Sequence, residues 1–186
     1  MIDHYEKRIK KLIHEYNRPF PAPYYFERFL TNKKEAKIAD LGCGPICTLG
    51  NLWGDVKIEI YASDILAPQY SKLIEEQNCQ IITPVEYQDM KNLTYPDEFF
   101  DVVHCVNALD HTEDAQKALE EMKRVCKVGG YIYLRHGHNQ KSVNSGKGHF
   151  WDAKQEGFFN GESWVRLDGF HTTDDGYFLV SIMKKG

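Results

Sequence analysis

The sequence predicts an α/β fold: a mostly parallel seven-stranded sheet with helices on both faces and a closing antiparallel hairpin. Three observations predict it. Short apolar runs alternate with helix-period segments from residue 37 onward, a tight glycine bend follows the first of those runs, and two extended runs near the end are separated by Asp174-Asp175-Gly176. Alternation of strands and helices implies parallel pairing with both faces covered, and the late turn implies a hairpin.

Taken in order, residues 2–16 place Ile2, Tyr5, Ile9, Leu12, Ile13 and Tyr16 at spacings of three and four, the period of one helix face. Pro19, Pro21 and Pro23 end that helix, and a second short helix is expected over residues 24–30. Both read as a lid or brace on the main body. Strands follow at 38–41, 57–64, 79–82, 100–106 and 131–135, and the tail adds 163–167 and 177–183. A short helix is expected over 48–53. A better one lies between the fourth and fifth strands, with Ala115, Ala118, Leu119, Met122 and Val125 on one face, Thr112 as N-cap and Gly129-Gly130 as the stop.

A chain of 186 residues with 42% hydrophobic content supports one core, so a single domain is expected. Its parts are a helical cap (1–35), a cofactor-binding core (36–135) and an acceptor-side loop with the closing hairpin (136–186). A formal net charge of −4 lacks the broad basic field that phosphate neutralisation demands, which argues against a nucleic-acid partner. The opening residues carry no apolar signal region and no run of about 18 apolar residues occurs, so a cytoplasmic protein without a membrane span is expected, as monomer or homodimer. Five cysteines at 43, 47, 79, 105 and 126 form no paired framework and read as reduced thiols.

The sharpest local signal is Asp40-Leu41-Gly42-Cys43-Gly44-Pro45 directly after an apolar strand. Glycines at this spacing let the backbone turn tightly and approach a ligand with no Cβ in between, although a plain turn would look the same. Asp64 ends the next strand, about 20 residues on, where a carboxylate can accept from both ribose hydroxyls of an adenosine; it also suits a helix cap.

These segments, then Tyr61-Ala62-Ser63-Asp64, Asp89-Met90-Lys91-Asn92-Leu93 through Phe100-Asp101-Val102-Val103, and Ala118-Leu119-Glu120-Glu121-Met122 through Gly129-Gly130, resemble the successive motifs of class I S-adenosylmethionine-dependent methyltransferases, specifically methyltransferase-11-like domains. They stand in the family's order and cover about residues 37–135. The resemblance implies a Rossmann-like sheet and S-adenosylmethionine as cofactor, released as S-adenosylhomocysteine. It also implies residue roles. Gly42 and Gly44 would let the loop approach the methionine part, with Asp40 near its amino group. Asp64, with Ile65 beside it, would hold the ribose. Asp89 would accept from the adenine amine while the Met90 amide faces the ring, and Cys105 would line the pocket. One departure stands out: the usual third glycine is Ile46, followed by Cys47, so a Gly-x-Gly-x-x-Gly nicotinamide loop is absent as well.

Ligands of open α/β sheets bind beyond the C-terminal strand ends, where His104, His111, His136, His138, His149 and His171 are expected. His111, with Asn107, is the first choice for catalysis, against a purely packing role. Tyr24, His136, His138, His149 and Trp151 are expected on the acceptor side. A metal held by His136, His138, His149 and Asp152 is conceivable, but ordinary polar contacts are favoured and no metal is expected. After the fourth strand, Cys105-Val106-Asn107-Ala108 lacks the Asn/Asp-Pro-Pro-aromatic element that relatives use on base or glutamine amines. A small-molecule acceptor methylated on oxygen or nitrogen, a sugar or another biosynthetic intermediate, is therefore favoured over a macromolecule or a non-catalytic binding module.

Overall fold

The structure is a computed structural model that describes residues 9–78, 80–137, 148, 150, 164–167 and 178–186. Helix α1 (Ile9–Tyr16) buries Ile9 and Leu12. A 3-10 turn (Tyr24–Phe26) runs straight into α2 (Glu27–Leu30), so the short helix expected over 24–30 forms as two joined pieces. Between α1 and this turn the proline-rich stretch runs extended and bonds to a later segment: the Ala22 amide donates to the Leu52 carbonyl at 2.9 Å, and the Leu52 amide to the Phe20 carbonyl at 3.1 Å.

The sheet is built from β1 (Glu35–Leu41), β2 (Leu52–Trp53), β3 (Val56–Asp64), β4 (Val85–Tyr87), β5 (Phe100–Val106), β6 (Cys126–Gly137), β7 (Trp164–Leu167) and β8 (Phe178–Lys184). Their order is β2-β3-β1-β5-β6-β8-β7, with β4 also on β3. Strands β4, β3, β1, β5 and β6 run parallel, whereas β8 lies antiparallel between β6 and β7. Six of the strands expected from sequence form near their expected places, one lies later at Val85–Tyr87, and the two-residue β2 makes an eighth. The chain moves one way from β1 to β3 and β4 and the other way from β5 to β6. The switch between β1 and β5 is where such sheets open a crevice.

Side chains alternate between two cores. On one face Ala39, Leu41, Val103, Cys105, Ile132 and Leu134 meet Ala118, Leu119, Met122 and Val125 of α4 (Ala115–Val125). On the other, Ala36, Ile38, Val102, Tyr133 and Ile182 meet Phe26, Phe29 and Leu30 of the cap. Helix α3 (Ala67–Glu75) follows β3 and buries Ala67 and Tyr70.

Four expectations are corrected. Residues 48–53 form no helix: Leu52 and Trp53 instead pair with Lys57 and Val56 across a tight turn in which Gly54 has φ +50°. The third strand is Val85–Tyr87 rather than residues 79–82, because the Asn17 side chain brackets that earlier run, donating to the Gln80 carbonyl at 2.7 Å and accepting from the Ile82 amide at 2.7 Å. The N-cap of α4 is Asp114, whose carboxylate accepts from the Lys117 amide, while Thr112 closes a 3-10 turn (Leu109–His111). The helix stops at Val125, before Gly129-Gly130, because Cys126 is already extended and pairs with Phe100.

Candidate cofactor and acceptor site

At the C-terminal end of β1 the chain bends with Gly42 at φ +70° and Gly44 at φ +77°, a conformation that penalises any Cβ. The amides of Gly42 and Cys43 both donate to the Ser63 carbonyl, at 2.8 and 3.1 Å, which lays the bend across the end of β3. A Cβ on Gly42 would lie 2.2 Å from the Ala108 Cβ. Packing as well as φ therefore demands glycine there. Ile46 and Cys47, in place of a third glycine, are both buried.

Asp64 fastens the two strand ends together. Its carboxylate accepts from the Gly44 amide at 2.9 Å and from the Leu66 amide at 2.8 Å. Burial raises its pKa, partly offset by those two amides and by the nearby His111. Each carboxylate oxygen keeps a second lone pair that can accept a further donor. Beside it Ile65 is 50% exposed, an apolar side chain open at the rim of the bend. The loop after β4 closes on itself: Asp89 accepts from the Lys91 amide at 2.9 Å, and the Asn92 amide donates to the Asp89 carbonyl at 2.8 Å. Met90 reaches toward the bend, its Cε 3.5 Å from where a Gly42 Cβ would be.

Asp40 lies inside, 5% exposed. His104 stands opposite it on β5 and Tyr133 opposite His104 on β6, so the three form one row across the sheet. The His104 Nδ1–H donates to Asp40 at 2.8 Å, and the Cys47 thiol donates to the other carboxylate oxygen at 3.4 Å. From the cap, the Tyr25 hydroxyl is 3.0 Å from His104 Nε2. Its ring stacks on Tyr133 with centroids 4.5 Å apart. His104 is thus a buried member of the strand, not a group beyond the sheet edge.

At the end of β5 Asn107 is exposed, with φ +52°, and its amide donates to the Arg135 carbonyl at 2.9 Å. This left-handed step lifts the chain into the turn that carries His111. The His111 Nδ1–H donates to the Gly148 carbonyl at 2.9 Å, so the neutral imidazole carries its lone pair on Nε2. Nearby, the Phe150 amide donates to the Asp110 carbonyl at 2.8 Å, which lays residues 148 and 150 over the same turn.

Two expected site residues sit elsewhere. Cys105 is fully buried on the α4 face, its Sγ 3.9 Å from the Met90 sulfur, so it presents no open surface. His136 is 0% exposed, and its Nε2 accepts from the Leu109 amide at 3.1 Å. Burial drives its pKa down to about 4, so it is a neutral support for the turn rather than a group facing an acceptor. Tyr24 is 86% exposed and packs edge-on against Tyr25. His138, His149, Trp151, Asp152 and His171 lie outside the described residues.

Sequence reasoning missed the partnership of Asp40 with His104 and Tyr25. Its signal was a histidine in a mostly apolar strand, two residues before the strand's end, facing an aspartate one residue before the end of the neighbouring strand. Among the described residues no helix is long and apolar enough to cross a membrane.

Residues 39–134 match the family model of the methyltransferase domain. An uncharacterized methyltransferase of Schizosaccharomyces pombe is 30% identical over 132 residues, 64% of this chain and 45% of that protein. A ubiquinone/menaquinone biosynthesis C-methyltransferase of Chromobacterium violaceum is 32% identical over 81 residues, 44% of this chain and 32% of its own length. The chain therefore spans less than half the length of these curated relatives. Among solved structures, a candidate S-adenosyl-L-methionine-dependent methyltransferase from Methanococcus maripaludis shares the fold with a TM-score of 0.59, at 18% identity, over 99% of this chain and 92% of that one. The glycine bend tied to Asp64, the sheet order and the family match together show that this chain belongs to the class I S-adenosylmethionine-dependent methyltransferases.

Proposed function

We propose that this chain seats S-adenosylmethionine across the ends of β1 and β3 and directs its methyl group to oxygen or nitrogen of a small-molecule acceptor. The observation that carries the reading is Asp64, which holds the Gly44 amide at 2.9 Å beside a bend where Gly42 leaves no room for a Cβ. The cofactor would supply a methyl group already activated by its sulfonium. The protein's own residues then need only bind, orient and keep water out.

Gly42 and Gly44 present bare backbone to the methionine part, and the remaining lone pairs of Asp64 accept from the ribose hydroxyls. Ile65 offers an apolar surface to the adenine. Asp89, with one oxygen engaged by the Lys91 amide, uses the other for the exocyclic amine, and Met90 borders the ring. Asp40 takes the cofactor's amino group. Cys105, fully buried beside Met90, is given no contact with the cofactor.

On the acceptor side His111 is the general base. Its Nδ1–H bond to Gly148 fixes the tautomer that leaves Nε2 to accept the acceptor's proton. Asn107 positions the acceptor from the preceding step, and Tyr24 stands at the mouth. Support for a small acceptor comes from the acidic charge balance and from the Chromobacterium relative, whose name places it in quinone biosynthesis. Calorimetry with S-adenosylhomocysteine tests the seat: micromolar binding by the wild type, lost by about tenfold or more in Asp64→Ala, is expected. An Asp64→Ala protein that binds as well as wild type would remove the reading. His111→Ala is expected to bind the product normally and to lose methyl transfer across a metabolite panel. Turnover equal to wild type would make His111 a packing residue.

A further inference from the structure

Asp40 poses an electrostatic problem that its described neighbours only half solve. It is 5% exposed, and removing a carboxylate from water is costly unless charge and hydrogen bonds compensate. Among the described residues its side chain meets one imidazole at 2.8 Å and one thiol at 3.4 Å, with no lysine or arginine in ion-pair contact. A thiol is a weak donor. Burial raises the Cys47 pKa, so it stays protonated and supplies no cation. The oxygen that Cys47 touches keeps acceptor capacity, and the carboxylate lies close enough to Cys43 and Asp64 at the bend to act on both.

His104 can donate to Asp40 through Nδ1 only if Nε2 is the acceptor or also carries a proton. The Tyr25 hydroxyl is held against Nε2 at 3.0 Å and, protonated through burial, can serve it in either form. Because a carboxylate only accepts, the Nδ1–H is aimed at Asp40, and in the neutral imidazole Nε2 accepts from the Tyr25 O–H. The imidazole cannot swing aside, since it stacks on Tyr133 with centroids 5.2 Å apart and planes 5° from parallel. Phe26 covers it edge-on at 6.0 Å.

We propose that the Tyr25–His104–Asp40 chain is a positioning relay, in which His104 holds the Asp40 carboxylate turned toward the ammonium end of the cofactor and so sets the protein's preference for ligands that carry the aminobutyrate tail. The proposal rests on the cofactor seat described above and adds to it a specificity element built jointly by the cap and β5. Tyr25 and His104 touch no ligand; they act through Asp40. A cap residue thereby takes part in a seat formed otherwise by strand ends.

The test compares two ligands by calorimetry on the full chain: S-adenosylhomocysteine, which has the tail, and 5′-methylthioadenosine, which lacks it. His104→Leu is expected to weaken the first by about tenfold and to leave the second within about twofold, the size of a hydrogen bond to a charged group. His104→Asn, whose side-chain amide can donate from nearly the Nδ1 position, is expected to recover most of the loss. Should His104→Leu fail to fold, Tyr25→Phe keeps the ring stack and removes only the donor. It is expected to reduce the ratio of the two affinities severalfold. Equal losses for both ligands, or an unchanged ratio in the folded variants, would overturn the relay while leaving the cofactor seat intact. Failure of the wild type to bind either ligand would overturn the seat, and the relay with it.

Discussion

Two glycines with left-handed backbone separate geometry from crowding. At Gly42 a methyl group would meet the Ala108 Cβ at 2.2 Å, whereas at Gly54, also at positive φ, nothing lies within 4 Å. Gly54→Ala should therefore show the backbone penalty alone, about 1 kcal/mol. Gly42→Ala adds overpacking and should cost about 2–4 kcal/mol and the product-binding signal. Urea unfolding of the two variants side by side checks the contrast. Residue by residue, the sequence made the seat legible where function needs a special backbone or a charge at a strand end, as at Gly42, Gly44 and Asp64. It hid what depends on cross-strand register. No count along the chain places His104 beside Asp40, 64 positions away, or stands Tyr25 over both. The same blindness put Cys105 and His136 in an open pocket, since which face of a strand looks inward is settled by neighbours.

Among the elements, α4 and the loop that precedes β5 are joined by Arg124. Its guanidinium donates to the carbonyls of Leu93 and Tyr95 at 2.8 and 2.9 Å and to the carboxylates of Glu121 and Asp97 at 2.8 and 2.7 Å. Glu121 in turn accepts from the Leu93 amide. The loop that carries Asp89 and Met90 is thus anchored at its far end by one side chain. Arg124→Met retains the apolar stem and removes the donors, and should lower stability by about 2 kcal/mol in urea unfolding. It should also weaken product binding while leaving the fold in place. Strands β1, β3 and β5 were legible because alternation and β-branched residues coincide with the Gly and Asp signals that follow them. Residues 48–53 were misread because six residues with two leucines and one tryptophan fit a helix turn as easily as a hairpin arm. The deciding signal was Gly54-Asp55 before Val56, a turn pair.

For the molecule as a whole, buried His136 links stability to acidity. The unfolded chain protonates this imidazole near its ordinary value of 6.5, whereas the folded protein resists to about 4. Between those values the unfolded state binds more protons, so stability falls as pH drops from 6.5 through 4 and levels off below. The wild type should lose roughly 3 kcal/mol through this residue across that window. His136→Gln can still accept from the Leu109 amide and should flatten the difference. Paired unfolding curves at several pH values check it, and parallel slopes would contradict the assignment.

The missing crossover helix after the glycine bend reaches further than local topology. Phe26 and Ile182 lie in the same core, so one sheet face is sealed by residues more than 150 positions apart. The aromatic rings of the cap complete their packing only when β8, about 150 residues further along, is in place. Such long-range closure favours slow, late-committing folding, and it ties the fate of the cap to that of β8.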